Sequence, residues 1–497
     1  MSVALDVLAG GAVVAYALAT ALLAGLGLHA ALLAAVRLRR PPRPLPLAGD
    51  AAWPPVVVQI PVYDEPAALV ARALDAALDL EALGPVEVQL LDDSPRAGRR
   101  ANAVLCAERW ARARRRGVTL RHVVRTDRDG YKAGALAAGL DACRPARVAA
   151  VFDVDFRPAP DTLLRLVPAL LADPGLAFVQ ALWTHPDADE TALGRAQAAV
   201  LDLHFAVEQA GRDRAGLPLT FNGTAGVWRV EAIRDAGGWQ GDTLAEDLDL
   251  ALRAQAAGWR ARLAEGVAVP ADLPPTVGAW RRQQARWAKG LAEVGRKSLG
   301  RVWCSGLSLP AKAEATVMTA LSLSLPALLV VCVLHPAVAL AGALGVGPGA
   351  GAYAALGVGW TGLVGLVAAH AVTQRALYGR VLRRLRRLPL VLVAPLALVV
   401  PATRAVTEAA RGRRSPFVRT LKTAHPAPAS RQAGGAEAAL AVWSLLGLVA
   451  LAAAGAWAGA AFQALLVAGF AGAARSVRAV GRPAATSVTV DAPRVAA

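Results

Sequence analysis

Apolar and polar positions divide this chain into two regimes. In the first, charge is absent over whole stretches: residues 7–36, 315–374 and 438–474 contain no Asp, Glu, Lys or Arg. A helix rises 1.5 Å per residue, so about 20 apolar residues cross a hydrocarbon core. The first stretch predicts one crossing, the second two crossings broken near GVGPGAG (345–351), and the third a hairpin of two short ones. The second regime is residues 50–300, where strand-like runs alternate with helix-period runs. VVVQIPVY (56–63) precedes PAALVARALDAAL (66–78), and VEVQLLDDS (86–94) precedes another helix. TLRHVVRT (119–126) precedes KAGALAAGL (132–140), and RVAAVFDVDF (147–156) precedes DTLLRLVPALLA (161–172). Such alternation predicts an α/β domain with a mostly parallel sheet covered on both faces. Ligands of such sheets gather outside the carboxyl ends of the strands. The polar clusters fall at those ends: Asp64-Glu65, Asp92-Asp93-Ser94, Asp127 to Lys132, and Asp153 with Asp155.

These patterns divide the chain into an N-terminal transmembrane anchor with a basic flank (1–43), a globular domain (50–300) and two transmembrane helices (301–374). A basic, amphipathic or re-entrant region (375–435), a transmembrane hairpin (436–474) and a flexible tail (475–497) follow. The apolar run at the N-terminus has no basic region before it and is too long for a signal peptide, which predicts a retained anchor. Within the basic region, LPLVLVAPLALVVPAT (388–403) has 16 uncharged residues. As a helix it would reach about 24 Å, short of a roughly 30 Å core. A re-entrant or interfacial segment is the favoured reading, with an additional crossing as the alternative.

Composition agrees with the membrane reading, at 55% hydrophobic residues over 497 positions. The net charge of +17 would suit nucleic acid, but its placement excludes that partner. The basic clusters RLRRPPR (37–43), RVLRRLRR (380–387) and RGRR (411–414) sit beside apolar segments. That is the positive-inside pattern, with the lipid bilayer as partner and the globular domain on the cytoplasmic side of the cell membrane. Four scattered cysteines have no metal-ligand spacing and predict packing residues.

The candidate chemistry lies at the rim. In a strand, residues i and i+2 face one side, so Asp153 and Asp155 of VFDVDF can reach one centre. Like charges held close need a cation or a shared proton, and carboxylate oxygens suit Mg²⁺ or Mn²⁺. The alternative is a pair of solvated charges capping a strand. DRDGYKAGAL (127–136) offers Arg128 and Lys132 at a helix start, an anion-favouring position, or else a solvated loop. DDS (92–94) fits a nucleobase, a ribose or a helix N-cap. Glu246-Asp247 open a helical run, where carboxylates usually stabilise the dipole. One of them becomes a general base only beside a hydroxyl nucleophile. In RRQQARWAKG (281–290), Arg286 suits phosphate and Trp287 a sugar face or a membrane interface.

DDS, KAGAL, DVD, FNGTAGVWR (221–229), AED (245–247) and QQARW (283–287) occur in this order. As an ordered set over about residues 50–300 they resemble the inverting family-2 glycosyltransferases of the cellulose synthase-like group. The mannan and glucomannan synthase-like members match most nearly. The resemblance implies a GT-A-like nucleotide-sugar domain flanked by N- and C-terminal transmembrane helices. It implies transfer of glucose or mannose from a UDP- or GDP-hexose to a β-linked glycan, processive and coupled to export. Non-processive transfer to a lipid acceptor is the alternative, and a transporter with a regulatory domain is a third reading. By matching residue, Tyr63, Glu65 and Asp93 would contact the nucleotide, with Lys132 and Asp153 near the diphosphate. Asp153 and Asp155 would hold Mg²⁺ or Mn²⁺. Asp247 would be the base, with Glu246 beside it. Asn222, Gly223 and Thr224 would border the acceptor, and Gln283, Arg286 and Trp287 would hold the diphosphate and the acceptor end. SPFVRTLK (415–422) resembles the family's gating loop, with Leu421 where proline is usual and Arg419 and Lys422 as phosphate-seeking candidates.

Overall fold

Seven strands form the centre of the molecule, and their sequence explains why they are buried. A computed structural model describes residues 2–46, 52–347, 350–379, 381–415 and 434–479. The strands are β1 (Val56–Val62), β2 (Val86–Asp92), β3 (Val118–Val124), β4 (Val148–Val151), β5 (Leu176–Thr184), β6 (Gly226–Arg229) and β7 (Arg260–Pro270). They lie in the order β3-β2-β1-β4-β6-β5-β7. The first four run parallel, β6 is antiparallel to both of its neighbours, and β5 and β7 are parallel to each other. The continuous apolar run of β4, Val148 to Val151, is buried on both faces, as parallel strands between helices require. One face packs the helices Ala67–Leu78 and Thr162–Ala172 through Val70, Leu74, Leu163 and Leu166. The other packs Tyr131–Ala142 and Glu246–Ala256 through Leu136, Leu140, Leu250 and Ala254.

Two sequence expectations change here. The strand expected over 147–156 ends at Val151, so Asp153 and Asp155 do not alternate along a strand. The chain turns instead, with the Phe156 amide donating to the Asp153 carbonyl at 2.9 Å. Phe152, Val154 and Phe156 take the buried side and crowd the strand end into this turn. The last helix, Trp457–Ala479, also runs past residue 474, where the tail was expected to begin. Arg419, Leu421 and Lys422 lie outside the described residues.

Among the described residues, five helices are long and apolar enough to cross a membrane: Val7–Arg39, Leu309–Ala343, Gly351–Tyr378, Gly435–Ala453 and Trp457–Val477. The chain is a multi-pass membrane protein. Small residues bring two of these helices together: a Cβ on Gly27 would lie 2.0 Å from the Gly362 carbonyl oxygen. Close backbone approach of this kind is how helices associate in lipid. The segment whose crossing was in question is a bent pair, Leu388–Ala397 and Val399–Ala410, meeting at 49°. Both of its ends touch the globular domain. Before it, Arg387 pairs with Asp189 at 2.7 Å. At its far end, Glu408 pairs at 3.0 Å with Lys289 of the long helix Val277–Cys304.

Candidate active site

The carboxyl ends of β1, β2 and β4 open onto one cavity. Two carboxylates at the end of β2 behave differently. Asp92 is buried beneath the cavity and receives hydrogen bonds from His122 (2.8 Å), Asn102 (2.9 Å) and the Ser94 amide (2.9 Å). Burial alone would raise its pKa, but these bonds outweigh it and pull the group down to about 2. Asp92 is therefore a fixed anion that shapes the loop. Asp93 lines the cavity, and the Arg125 guanidinium grips both of its oxygens. The Arg128 guanidinium lies 3.3 Å from the Tyr63 ring centroid, a cation–π stack at the cavity wall.

Opposite these residues, Lys132 donates to Asp153 (2.5 Å) and to the Gly223 carbonyl (2.9 Å). Burial opposes its charge, but Asp153, Glu246 and Asp247 more than compensate and raise its pKa. Thr224 is buried and does not line the cavity; its hydroxyl accepts the Asp153 amide at 2.8 Å and so braces the turn. Asp155, 4% exposed, reaches the cavity from the same turn.

Glu246 and Asp247 begin the helix Glu246–Ala256, where orphan backbone N–H groups favour negative charge. The Asp247 Oδ1 accepts the Leu248 amide at 2.8 Å. Its carboxyl is nevertheless pushed up to about 7, by burial first and by the Glu246 charge next, against Lys132 and Arg286. Burial in turn lowers the pKa of Arg286. Gly223 sits between these groups with φ at +79°, and a Cβ there would lie 2.8 Å from Asp247 Oδ2 and 3.4 Å from Lys132 Nζ. Only glycine lets the backbone pass this close at that φ.

The cavity thus gathers Tyr63, Glu65, Asp93 and Lys132 from the strand-end loops, with Asp153 and Asp155 from the turn. Asn222, Gly223, Glu246, Asp247, Gln283, Arg286 and Trp287 complete the expected set, from which Thr224 alone is missing. Trp183, His185 and Asp272 also line it, and no local pattern marked them. Among the described residues, no group of three or more His, Cys, Asp or Glu side chains is placed to hold a metal by itself.

A Lys–Asp pair, a helix-start acid pair in which Asp247 has a raised pKa, and a basic-aromatic helix thus meet at the strand ends of a GT-A-like sheet. Residues 57–229 match the model "Glycosyl transferase family 2", and residues 150–345 match "Glycosyl transferase family group 2". Residues 57–345 therefore carry a glycosyltransferase family 2 domain, which is similar to those of the cellulose synthase-like mannan synthases. It is 41% identical over 252 residues to a probable glucomannan 4-beta-mannosyltransferase 7 of Oryza sativa subsp. japonica, covering 50% of this chain and 42% of that one. It is 39% identical over 252 residues to glucomannan 4-beta-mannosyltransferase 9 of Arabidopsis thaliana, covering 50% and 46%. The match spans less than half the length of these relatives. A solved structure of the mannosyltransferase PcManGT from Pyrobaculum calidifontis, in complex with GDP-Man and Mn²⁺, shares the fold. It has a TM-score of 0.50 and 23% identity, covering 74% of this chain and 99% of that one.

Proposed function

We propose that this protein transfers mannose from GDP-mannose to the end of a β-linked glycan at the cytoplasmic face of the cell membrane, inverting the anomeric centre. The observation that carries the reading is Asp247, which lines the cavity so close to the Gly223 backbone that a Cβ there would lie 2.8 Å from its Oδ2, and whose carboxyl is pushed to about 7. A general base works best with a pKa near the operating pH. Asp247 takes the proton of the acceptor hydroxyl as that oxygen bonds to the anomeric carbon. The bond from that carbon to the diphosphate breaks, and its electron pair leaves with the diphosphate. One displacement inverts the α-linked donor to a β product. Lys132 and Arg286 offset the charge of the departing diphosphate. Glucomannan 4-beta-mannosyltransferase relatives support mannose as the sugar, and the GDP-Man bound by the structural neighbour supports the nucleotide.

Asp153 and Asp155 fit a hard divalent ion, Mn²⁺ or Mg²⁺, because two carboxylates reach the cavity and a diphosphate would supply the remaining oxygens. Such an ion, when bound, neutralises diphosphate charge. In the membrane, the bent pair does not cross, since Arg387 before it and Glu408 near its end both meet the globular domain. That keeps the basic clusters at residues 380–387 and 411–414 on one side with residues 37–43, as the positive-inside tendency requires. The test supplies purified protein in lipid with Mn²⁺ or Mg²⁺ and a panel of GDP- and UDP-hexoses. Long polymer from GDP-mannose, degraded by a β-mannanase, is expected. A single organic-extractable glycolipid as sole product would refute the glycan acceptor, and product from UDP-glucose alone would refute the donor.

A further inference from the structure

A line of buried and half-buried polar side chains runs from the membrane helices to the cavity, and the reaction described above does not use it. It begins at His29 of the first membrane helix, whose Nε2 meets Glu314 Oε2 of the second at 2.8 Å. Glu314 Oε1 accepts from Arg212 Nε at 2.6 Å, and Arg212 is 1% exposed. Arg212 lies 3.8 Å from Glu208, and Glu208 Oε2 lies 3.0 Å from His204 Nδ1. Finally, His204 Nε2 meets Asn222 Nδ2 at 2.9 Å, and Asn222 lines the cavity beside Gly223.

Hydrogen-bond logic assigns the His204 tautomer and the Asn222 orientation. An amide nitrogen only donates, so His204 Nε2 accepts and its proton sits on Nδ1, donated to Glu208. Asn222 is held the same way from its other side: Oδ1 accepts from Gln209 Nε2 (3.1 Å) and from the Thr220 hydroxyl (3.2 Å). A flipped amide would set NH₂ against the Gln209 NH₂. His204 and Gln209 both reach Asn222 because residues His204–Gln209 form a π-helical turn. Its i→i+5 spacing brings residues five apart toward one face, and such bulges are frequent at functional sites. Asn222 Nδ2 carries two N–H groups, and His204 occupies one of them.

We propose that His204 is a positioning residue for the acceptor: it holds one N–H of Asn222 so that the other donates to a hydroxyl oxygen of the terminal acceptor sugar. The ladder through Glu208, Arg212, Glu314 and His29 fixes His204 against the first two membrane helices. This inference rests on the glycan-acceptor reading above, because Asn222 lines the cavity together with Gly223 and Asp247. It assigns acceptor recognition to residues 204–209, which none of the sequence motifs included.

The test compares His204→Leu with His204→Gln, using GDP-mannose and β-1,4-mannotetraose as the acceptor probe. Both variants lose the bond to Glu208, but glutamine Oε1 restores an acceptor where Nε2 stood. The expected result is a rise in acceptor KM of roughly three- to tenfold for His204→Leu, the worth of one hydrogen bond. Donor KM stays at the wild-type value, and His204→Gln recovers most of the loss. Equal KM values for the two variants, or equal shifts in donor and acceptor KM, would overturn the inference. Wild-type protein that transfers nothing to any acceptor refutes the proposed function, and this inference with it. Wild-type transfer with an unchanged acceptor KM in His204→Leu refutes this inference alone.

Discussion

Gly223→Ala perturbs the centre of the site with one methyl group. The backbone there has φ at +79°, and a residue with a side chain pays about 1–2 kcal/mol for the left-handed region. The methyl would lie 2.8 Å from Asp247 Oδ2 and 3.4 Å from Lys132 Nζ, and real Cβ atoms essentially never come closer than 3.0 Å to a neighbour. Either the 221–224 loop or the Asp247 side chain must therefore move. A misplacement of about 1 Å at reacting groups costs on the order of a hundredfold in rate, and a shift of half that about tenfold. The variant is expected to fold with a thermal midpoint lowered by a few degrees, about what 1–2 kcal/mol produces. Its kcat should fall between about tenfold and a hundredfold, with donor KM nearly unchanged because Asp93 and Tyr63 are untouched. Initial rates over a donor titration, beside a thermal melt, measure both quantities. Wild-type kcat in a folded Gly223→Ala protein would refute the placement of Asp247 and Lys132 about this residue.

Three further outcomes follow from the same geometry. The acid limb of kcat/KM should bend near pH 7, since Asp247 is protonated below that value; a profile flat from pH 5 to 8 would contradict it. Asp247 also bears on stability, with a carboxyl at about 7 when folded and about 3.9 when unfolded. Between those values the folded state holds a proton that the unfolded chain has lost, so this group's contribution falls as pH rises. Asp247→Asn should therefore gain more in thermal midpoint over wild type at pH 8 than at pH 4. Thr224→Val removes the hydroxyl that accepts the Asp153 amide, leaving a buried N–H that costs about 1–3 kcal/mol. A lowered midpoint and a weaker response to added Mn²⁺ are expected, read by melts over a metal titration.

Strand–helix alternation puts Glu65, Asp93, Lys132, Asp153 and Asp155 on one rim, the ordered motifs and the family they resemble supply the rest, and all but one of the expected residues line one cavity. The reasoning for Asp153 and Asp155 was wrong in its geometry, since strand alternation does not apply beyond Val151. A turn brings both to the cavity instead, driven by burial of Phe152, Val154 and Phe156. The resemblance puts Thr224 at the acceptor together with Asn222 and Gly223, but its hydroxyl is used inside the fold. The Arg125 grip on Asp93 links residues 32 positions apart, and local periodicity carries no trace of such a pair. The antiparallel β6 was hidden for another reason: four residues, GVWR, are too few for any period to register. Chain length alone left the 388–403 segment ambiguous, and only the contacts at its two ends bear on its path.

Transfer by Asp247→Asn, measured alongside its binding of GDP-mannose and Mn²⁺, tests the central claim most directly. The variant keeps the shape of the side chain and removes only its capacity to take a proton. Undiminished donor binding with transfer lost is the predicted result. Full turnover by Asp247→Asn would contradict the account.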